Sequence, residues 1–338
     1  MTALPCARVR LRDLGELVAG VPALLGFHPA ESLVAIALGG RARSRIGLVL
    51  RADLPPPERH RELVRQLLTP VRGHGADAVV LVVVSERSWS SSRELVERTR
   101  AALSAAGIPV VHAVWAQSTR GGARWGCYDE VLCGGVLPDQ ATSVLTTAMT
   151  VAGVVTFDSR EDVVGLLDQD DEDALARRGK LLDRAIVDDC GTSAGRLAAV
   201  HAAVAKKEPP ATDHELVRLG MALSDRLVRD NCVRCCLGVQ AADAERLWLA
   251  LVRALPAPEC AEPAVLLAVS AFLRGDGTLA VIALDRAETA VSGHRLAGLL
   301  RSAIELGLSP DKVRLMMADA VVAAERELAR ASDTRYGR

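Results

Sequence analysis

The sequence predicts an α/β domain, with a mostly parallel sheet and helices on both faces, followed by an all-α helical domain. The length of 338 residues corresponds to about two domains. Up to about residue 138, short apolar runs alternate with amphipathic segments, as strands and crossover helices do. Beyond that point, strand-like runs almost disappear and helical periodicity continues. We therefore expect domains over residues 1–138 and 139–338.

The first domain is expected to follow the order β-β-α-β-α-β, with the first two strands antiparallel. Helices connecting successive strands would form right-handed parallel crossovers. Three prolines at 55–57 suit the first turn of a helix, where proline is tolerated. The expected elements are a helical lead-in at 8–20, strands Ser32–Leu38 and Ile46–Leu50, a helix from Pro55 to Arg72, strand Ala78–Val84, helix Ser91–Ala106, strand Val110–Trp115 and a short edge strand Arg124–Tyr128.

The second domain contains one segment that resembles a tetratricopeptide-type helical hairpin, over residues 261–294. Small residues such as Ala268 and Ala280 fall where two helices would approach closely, and Gly275-Asp276-Gly277 supplies a turn. Stable repeat arrays need about three units. We therefore expect a single TPR-like hairpin within the helical domain and no repeat array.

Charge and hydropathy narrow the class of partner. Residues 1–128 hold 17 Lys/Arg and 10 Asp/Glu, and the remainder holds 24 and 32. This asymmetry suits an anionic ligand of the first half, or attraction between the halves. We favour attraction, because no aromatic residues lie among the arginines to stack on bases. A nucleic-acid partner is not expected.

Localisation is expected to be cytoplasmic. The first residues lack the apolar core of a signal peptide. The apolar runs Ala78–Val84 and Ala264–Leu273 are too short to cross a bilayer. The eight cysteines are then expected to be reduced thiols.

Short motifs lie along most of the chain, including Gly26-Phe27, Arg51-Ala52-Asp53-Leu54 and, near the end, Gly307-Leu308. Together they resemble an actinobacterial family, the domain of unknown function DUF4192. The resemblance implies this fold and a bacterial setting, and it supplies no reaction. Family members are often richer in cysteine after the Arg-Trp motif, where this chain has Cys127 and Cys133. The motifs are Pro22, Gly26-Phe27, Pro29, Ser32-Leu33-Val34, Arg51-Ala52-Asp53-Leu54, Ala106-Gly107-Ile108-Pro109, Arg124-Trp125, Ser159-Arg160, Val228-Arg229-Asp230, Gly275-Asp276-Gly277 and Gly307-Leu308.

One edge of the predicted sheet is the candidate ligand site. If the first two strands are antiparallel, the start of one lies beside the end of the other, and the carboxyl ends of parallel strands favour ligands. Arg51 would bind an anion that Ser32 or Ser85 positions. The alternative, which we favour, is a local salt bridge between Arg51 and Asp53, with His28 and Ser32 capping a turn. The candidate residues are His28, Glu31, Ser32, Arg51, Asp53, Ser85 and Glu86.

Two motifs are rejected as catalytic or metal sites. Gly191–Gly195 matches the G-x-S-x-G nucleophile pattern, but that motif follows a strand. The preceding residues have helical spacing, so Gly191 is interpreted as a helix C-cap and Thr192 or Ser193 as the next N-cap. Cys232, Cys235 and Cys236 share a helix face but lack the second ligand cluster that structural zinc needs. We expect these thiols to pack in the core and to bind no metal.

Two charged segments are also interpreted as ordinary loops. Residues 168–173 lack the glycine and glutamate that close a calcium-binding EF-hand loop, so their carboxylates are expected to favour the N-terminus of the next helix. Arg41, Arg43 and Arg45 alternate in a glycine-led loop, which is far from a nucleic-acid footprint. Phosphate-cradling glycine motifs are absent from the sequence.

The sequence therefore favours a non-enzymatic interaction or regulatory module that binds a protein partner or assembles as a homo-oligomer. No catalytic constellation is evident, no cofactor is expected, and hairpin surfaces commonly hold peptides or helices. The alternative is an enzyme, or a sensor of a small anionic ligand, that uses the strand-end residues.

Overall fold

The computed structural model describes residues 14–40, 45–130, 132–139, 143–151, 153–187 and 191–336. The chain divides into two compact units. One extends to Val163 and also includes Ala303–Ser309. The other comprises Val164–Ser302 and the residues from Pro310 onwards. Every described strand belongs to the first unit.

The first unit is built on a six-stranded sheet in the order β2-β1-β3-β4-β5-β6. Only β3 and β4 are parallel, and the other neighbouring pairs are antiparallel. The strands are β1 (Ser32–Gly39), β2 (Arg45–Asp53), β3 (Ala78–Val84), β4 (Val110–Ala116), β5 (Arg124–Cys127) and β6 (Gly134–Val136).

The expectation of a mostly parallel sheet is wrong, because β1 lies between β2 and β3 and runs antiparallel to both. The helix after β2 carries the chain past β1, so the strands that it connects share a direction without pairing. A physical reason lies in β1 itself. Its residues from Ser32 to Ala37 are all buried, which requires a neighbouring strand on each side and cover on both faces.

Among the described residues, four α-helices lie within the first unit, and a fifth, α5 (Arg160–Gly165), crosses its boundary after Val163. Two of them, α2 and α3, pack on one face of the sheet through residues such as Leu63, Leu67 and Leu95. The predicted lead-in is seen from Leu14, and residues 8–13 lie outside the described part. The helices are α1 (Leu14–Leu25), α2 (His60–His74), α3 (Arg93–Ala105), α4 (Val144–Val151) and α5 (Arg160–Gly165).

The second unit is helical in its described residues. Its hairpin of α11 and α12 turns at Gly275, which has a φ of 94°, and Asp276 then caps α12 by accepting from the Leu279 N–H. The predicted helical hairpin is therefore present. The helices are α6 (Glu172–Val187), α7 (Ser193–Lys206), α8 (Asp213–Ser224), α9 (Arg226–Leu237), α10 (Ala241–Ala254), α11 (Ala261–Arg274), α12 (Gly277–Ala290), α13 (Arg295–Glu305) and α14 (Pro310–Tyr336).

The segment Ala303–Ser309 belongs to the first unit because it packs backbone against backbone on α2. A Cβ atom on Gly73 would lie 1.8 Å from the carbonyl oxygen of Leu306. A Cβ atom on Gly307, whose φ is 70°, would lie 2.0 Å from the carbonyl oxygen of Pro70. Only glycine fits at these two positions.

A search for membrane-spanning helices was negative: among the described residues, no helix combines the length and apolar character that crossing a bilayer needs.

Candidate functional site

The start of β1 is the centre of the candidate site, because the ends of two other strands flank it. Ser32 is opposite Asp53 on β2 and opposite Val84 on β3. The expected antiparallel pairing of the first two strands is therefore present. It brings the predicted residues of three chain segments to one sheet edge.

The turn before β1 is fixed by the backbone. Gly26 ends α1 with a φ of 82°, and its N–H donates to the Pro22 carbonyl. Phe27 forms a bridge with Phe157, and the N–H of His28 donates to the Phe157 carbonyl at 3.1 Å. The Nδ1 atom of His28 lies 2.9 Å from the hydroxyl of Thr119, which is buried. His28 is thus held by tertiary contacts.

Glu31 is the conformationally unusual residue of the edge. Its φ of 42° lies in the left-handed region, which costs a non-glycine residue about 1–3 kcal/mol. Its carboxylate accepts from the Ser85 hydroxyl at 2.9 Å and from the Glu86 N–H at 3.1 Å, and Arg87 Nε lies 3.7 Å away. Glu31 therefore anchors the loop after β3. The residue at 86 takes part through its backbone.

Arg51 is held from three sides. Its Nε donates to the Ser32 hydroxyl at 2.8 Å, its Nη2 lies 2.6 Å from Asp53, and its Cζ lies 5.9 Å from the ring centroid of Phe27. The Ser32 hydroxyl in turn donates to the Ala30 carbonyl at 2.6 Å. The local salt bridge and the turn contact of Ser32 are thus both present. Within the described residues, Nη1 of Arg51 forms no hydrogen bond or ion pair.

A second ion pair borders the turn. Arg120 lies 2.8 Å from Asp158, and its hydrogen bond holds the pKa of that carboxyl below its ordinary value. The charge of Arg120, and to a lesser extent His28, act in the same direction. Glu31, Arg51, Asp53, Arg120 and Asp158 therefore all have a charged or polar partner inside the protein.

The family comparison is decisive for classification. The model of the domain of unknown function DUF4192 matches residues 15–311, which is most of the chain.

This chain belongs to the DUF4192 family.

The family description names no activity, and the searches of curated proteins and of solved structures returned no match. The candidate residues of this DUF4192 protein therefore have to be judged by their own geometry.

The cysteines of α9 are part of the core. Cys232, Cys235 and Cys236 are all buried, and the thiol of Cys236 faces the Leu266 carbonyl at 3.7 Å. Burial raises the pKa of Cys236 to about 12 and also raises the pKa of its two neighbours. Such thiols are protonated in the folded protein and so are poor nucleophiles. No metal-binding group of three or more ligands is present among the described residues.

Cys127 and Cys133 correct the expectation of reduced thiols. They are joined as a disulfide, with a Cα–Cα distance of 5.4 Å. The hairpin of β5 and β6 brings them together, since Cys127 N–H donates to the Cys133 carbonyl. The strand β6 was not predicted. Cys6 and Cys190 lie outside the described residues.

The G-x-S-x-G segment begins a helix. Thr192 caps α7 by accepting from the Gly195 N–H, and the Ser193 hydroxyl donates to Asp225 at 2.6 Å. The preceding element α6 is helical to Val187, as predicted. The cap assigned to Gly191 depends on residues 188–190, which lie outside the described part. The geometry of a nucleophile elbow is not formed.

The structure describes the acidic segment 168–173 and only the last of the three alternating arginines at 41, 43 and 45. Asp171 caps α6 by accepting from the Ala174 N–H at 2.8 Å, as its predicted role requires. Arg45 begins β2, and Arg41 and Arg43 lie outside the described residues.

Sequence reasoning missed a buried arginine clamp in the second unit. Arg178 donates to Asp213 at 2.7 Å, to Asp170 at 2.6 Å and to the Ala254 carbonyl at 2.9 Å. These groups border an open cleft of about 250 Å³. Burial lowers the pKa of Arg178, but the two carboxylates outweigh it and raise the pKa overall. The only sequence signal was an arginine on the apolar side of α6.

A second missed cluster joins Arg229, Glu262 and His294. Glu262 accepts from Arg229 at 2.9 Å and lies 3.1 Å from His294 Nε2. His294 Nδ1 accepts from the Ala297 N–H at 3.2 Å, so the imidazole caps α13. Burial raises the pKa of Glu262, but its partners outweigh this and lower the pKa overall. The cluster connects three helices, and each of its three side chains is bonded within the protein.

Proposed function

We propose that this DUF4192 protein is a non-enzymatic protein-interaction module, and that α14 presents its binding surface. The observation that carries the proposal is a solvent-exposed apolar face on this helix. Leu315 is 69% exposed, Met316 59% and Val322 46%. We call these three residues the α14 face.

The α14 face is distinct from the side of the helix that packs. Val313, Val321 and Ala324 are buried, and α14 contacts α9 and α11. Ion pairs of Glu325 with Arg234 and of Glu327 with Arg226 fix α14 on α9. The helix is therefore held in place while leucine, methionine and valine face solvent. Grouped exposed apolar side chains mark interaction sites more often than single ones do.

The spacing of the α14 face fits a helical partner. Leu315 and Val322 are seven residues apart, which places them two turns apart on one side of the helix. Met316 adds a flexible and polarisable contact. An amphipathic helix of a partner protein can lay its apolar side along such a row. The occupied state of the strand-end polar groups further supports binding over catalysis.

Site-specific photocrosslinking in the native host tests this proposal. A benzophenone amino acid at Leu315 or Val322 is expected to form one discrete protein adduct. The matched control is the same amino acid at Ala329, which is exposed two turns further along and should give no adduct. The additional substitution Met316→Glu should abolish the adduct that forms from position 315. Equal adducts at all three positions, or none, would contradict the assignment.

A second candidate function is binding of a small anion at the strand-end edge. Two observations favour it: the left-handed backbone at Glu31, and an Arg51 Nη1 group with no partner among the described residues. Strained backbone often occurs at functional sites. Phosphate or citrate should then raise the melting temperature of the wild type, and Arg51→Ala should abolish that rise. An unchanged rise in Arg51→Ala would remove this site from consideration.

A further inference from the structure

The outer edge of β2 carries unpaired backbone groups. The Leu54 N–H donates to the Glu31 carbonyl, so Glu31 and Leu54 form a hydrogen-bonded pair. Such pairs alternate along an antiparallel ladder. Ala52 and Leu50 therefore bond to β1, and Val49, Arg51 and Asp53 point their N–H and C=O groups away from it. Within the described residues, nothing pairs with these outward groups.

The first residues of β2 depart from this regular ladder. A register shift opposite Ala37 leaves the Leu48 N–H without a strand partner, and His74 Nε2 accepts it at 3.2 Å. Gly47 makes room for that ring, because a Cβ atom there would lie 2.5 Å from His74 Nε2. The last turn of α2 thus supplies the partner that the register shift takes from the Leu48 N–H. The open part runs from Val49 to Asp53.

An open edge of apolar, half-buried strand is normally covered or blunted, because it is a template for another strand. Residues Leu48–Ala52 are all half-buried. The open part carries one positive charge, on Arg51, and one negative charge two residues later, on Asp53. When a second copy of the strand runs in the opposite direction, each charge can face the opposite charge of the other copy.

We propose that β2 pairs antiparallel with β2 of a second copy of this chain, across a two-fold axis at Ala52. In this register Arg51 lies opposite Asp53 of the other copy, and Asp53 opposite its Arg51. Opposite charges across strands stabilise a pair, and like charges destabilise it. The register with its axis at Arg51 would place the two arginines opposite each other, so charge selects the axis at Ala52.

The proposed pairing uses backbone N–H and C=O groups that have no partner among the described residues. Each pair of Arg51 with Asp53 exchanges two backbone hydrogen bonds, as facing residues of a hydrogen-bonded pair do. The Nη1 group of Arg51 gains a carboxylate. Ala52 meets its counterpart as a non-hydrogen-bonded pair, with about 4.5 Å between Cα atoms. The two six-stranded sheets become one continuous sheet.

Oligomeric state is the first test. Light scattering of the purified full chain should give twice the mass of 35.8 kDa. Asp53→Pro removes an outward N–H that the Arg51–Asp53 pairs use and should give the single-chain mass, whereas the matched control Asp53→Asn keeps the N–H without the charge and should remain dimeric. Asp53→Arg should weaken the dimer by roughly tenfold or more, since it places like charges opposite each other twice. A wild type of single-chain mass would overturn the proposal.

Disulfide trapping tests the register separately. Ala52→Cys should crosslink to its counterpart under mild oxidation, because the expected Cα distance suits a disulfide. In this register Leu50 lies opposite Leu54 of the other copy, four positions away from the other Leu50. Leu50→Cys should therefore not crosslink. A dimer that crosslinks equally at both positions, or only at Leu50→Cys, would overturn the pairing. A dimer unaffected by Asp53→Pro would likewise exclude β2 as the interface.

Discussion

Replacement of Arg178 by alanine should destabilise the second unit far more than replacement of its neighbour Arg177. The side chain of Arg178 is 10% exposed and bonds to two carboxylates and a carbonyl. Arg177 is 60% exposed and lies 3.4 Å from Asp213, a carboxylate that both arginines share. The pair therefore compares a buried and an exposed arginine on one helix.

The size of the expected loss in unfolding free energy follows from the two carboxylates that Arg178→Ala deprives of their partner. Removing one partner of a buried ion pair costs about 3–5 kcal/mol. Asp170 and Asp213 are 34% and 27% exposed, so water can partly replace Arg178. We expect a loss of about 2–3 kcal/mol for Arg178→Ala. Arg177→Ala should cost less than about 1 kcal/mol, as exposed pairs do.

Urea denaturation, followed by circular dichroism and by the fluorescence of the four tryptophans, gives the free energy of unfolding; the buried Trp248 is the tryptophan of the second unit. The difference between the two variants should also depend on pH. Hydrogen bonding from Arg178 lowers the pKa of Asp213 in the folded state. A lowered pKa stabilises the fold above the unfolded value of about 3.9, and this is lost as the pH falls further. Equal free energies for the two variants at pH 7 would refute the reasoning.

Three further predictions concern glycine and cysteine. Gly73→Ala should lower the unfolding free energy by about 1–3 kcal/mol, because its Cβ atom meets the Leu306 carbonyl; an unchanged melting curve would show that the contact is absent. Gly179→Ala, which meets nothing within 4 Å inside α6, should raise that free energy by about 0.5–1 kcal/mol; a decrease would point to an unseen neighbour. Cys232 and Cys236 should resist maleimide labelling in the folded protein and react only after unfolding, as peptide mapping would show; rapid labelling would contradict their burial.

Local pattern was sufficient for the strand-end edge. The antiparallel pairing of β1 and β2 follows from two short apolar runs joined by a polar loop. That pairing alone places Ser32 beside Asp53. The edge strand expected at Arg124–Tyr128 is also present, as β5.

Strand direction required more than local pattern. The order β-α-β was taken to mean neighbouring parallel strands, but the connection through α2 passes over β1. In the structure β1 is almost completely buried and β2 is half-exposed, as a central strand and an edge strand are, but this burial could not be seen in the sequence. The sequence of β6, Gly-Gly-Val, has weak strand propensity, so tertiary pairing with β5 decides its structure.

The buried charge clusters could not be predicted, because their members are distant in sequence. Arg178 meets the Ala254 carbonyl 76 residues away, and Arg229 meets Glu262 33 residues away. Composition shows many arginines and carboxylates but gives no sign of which ones meet. The same holds for Glu31, whose partners Ser85 and Glu86 lie 54 and 55 residues away. The pairing of Arg51 with Asp53, only two residues on, was predicted.

Native mass spectrometry of the protein, isolated gently from its own host, tests most directly whether it is an interaction module. We predict a complex of defined stoichiometry with a partner protein. The variant with glutamate at both Leu315 and Val322 should lose that partner, and Ala329→Glu should retain it. A chain that carries a bound small molecule and no protein partner would contradict the account and direct attention to Arg51.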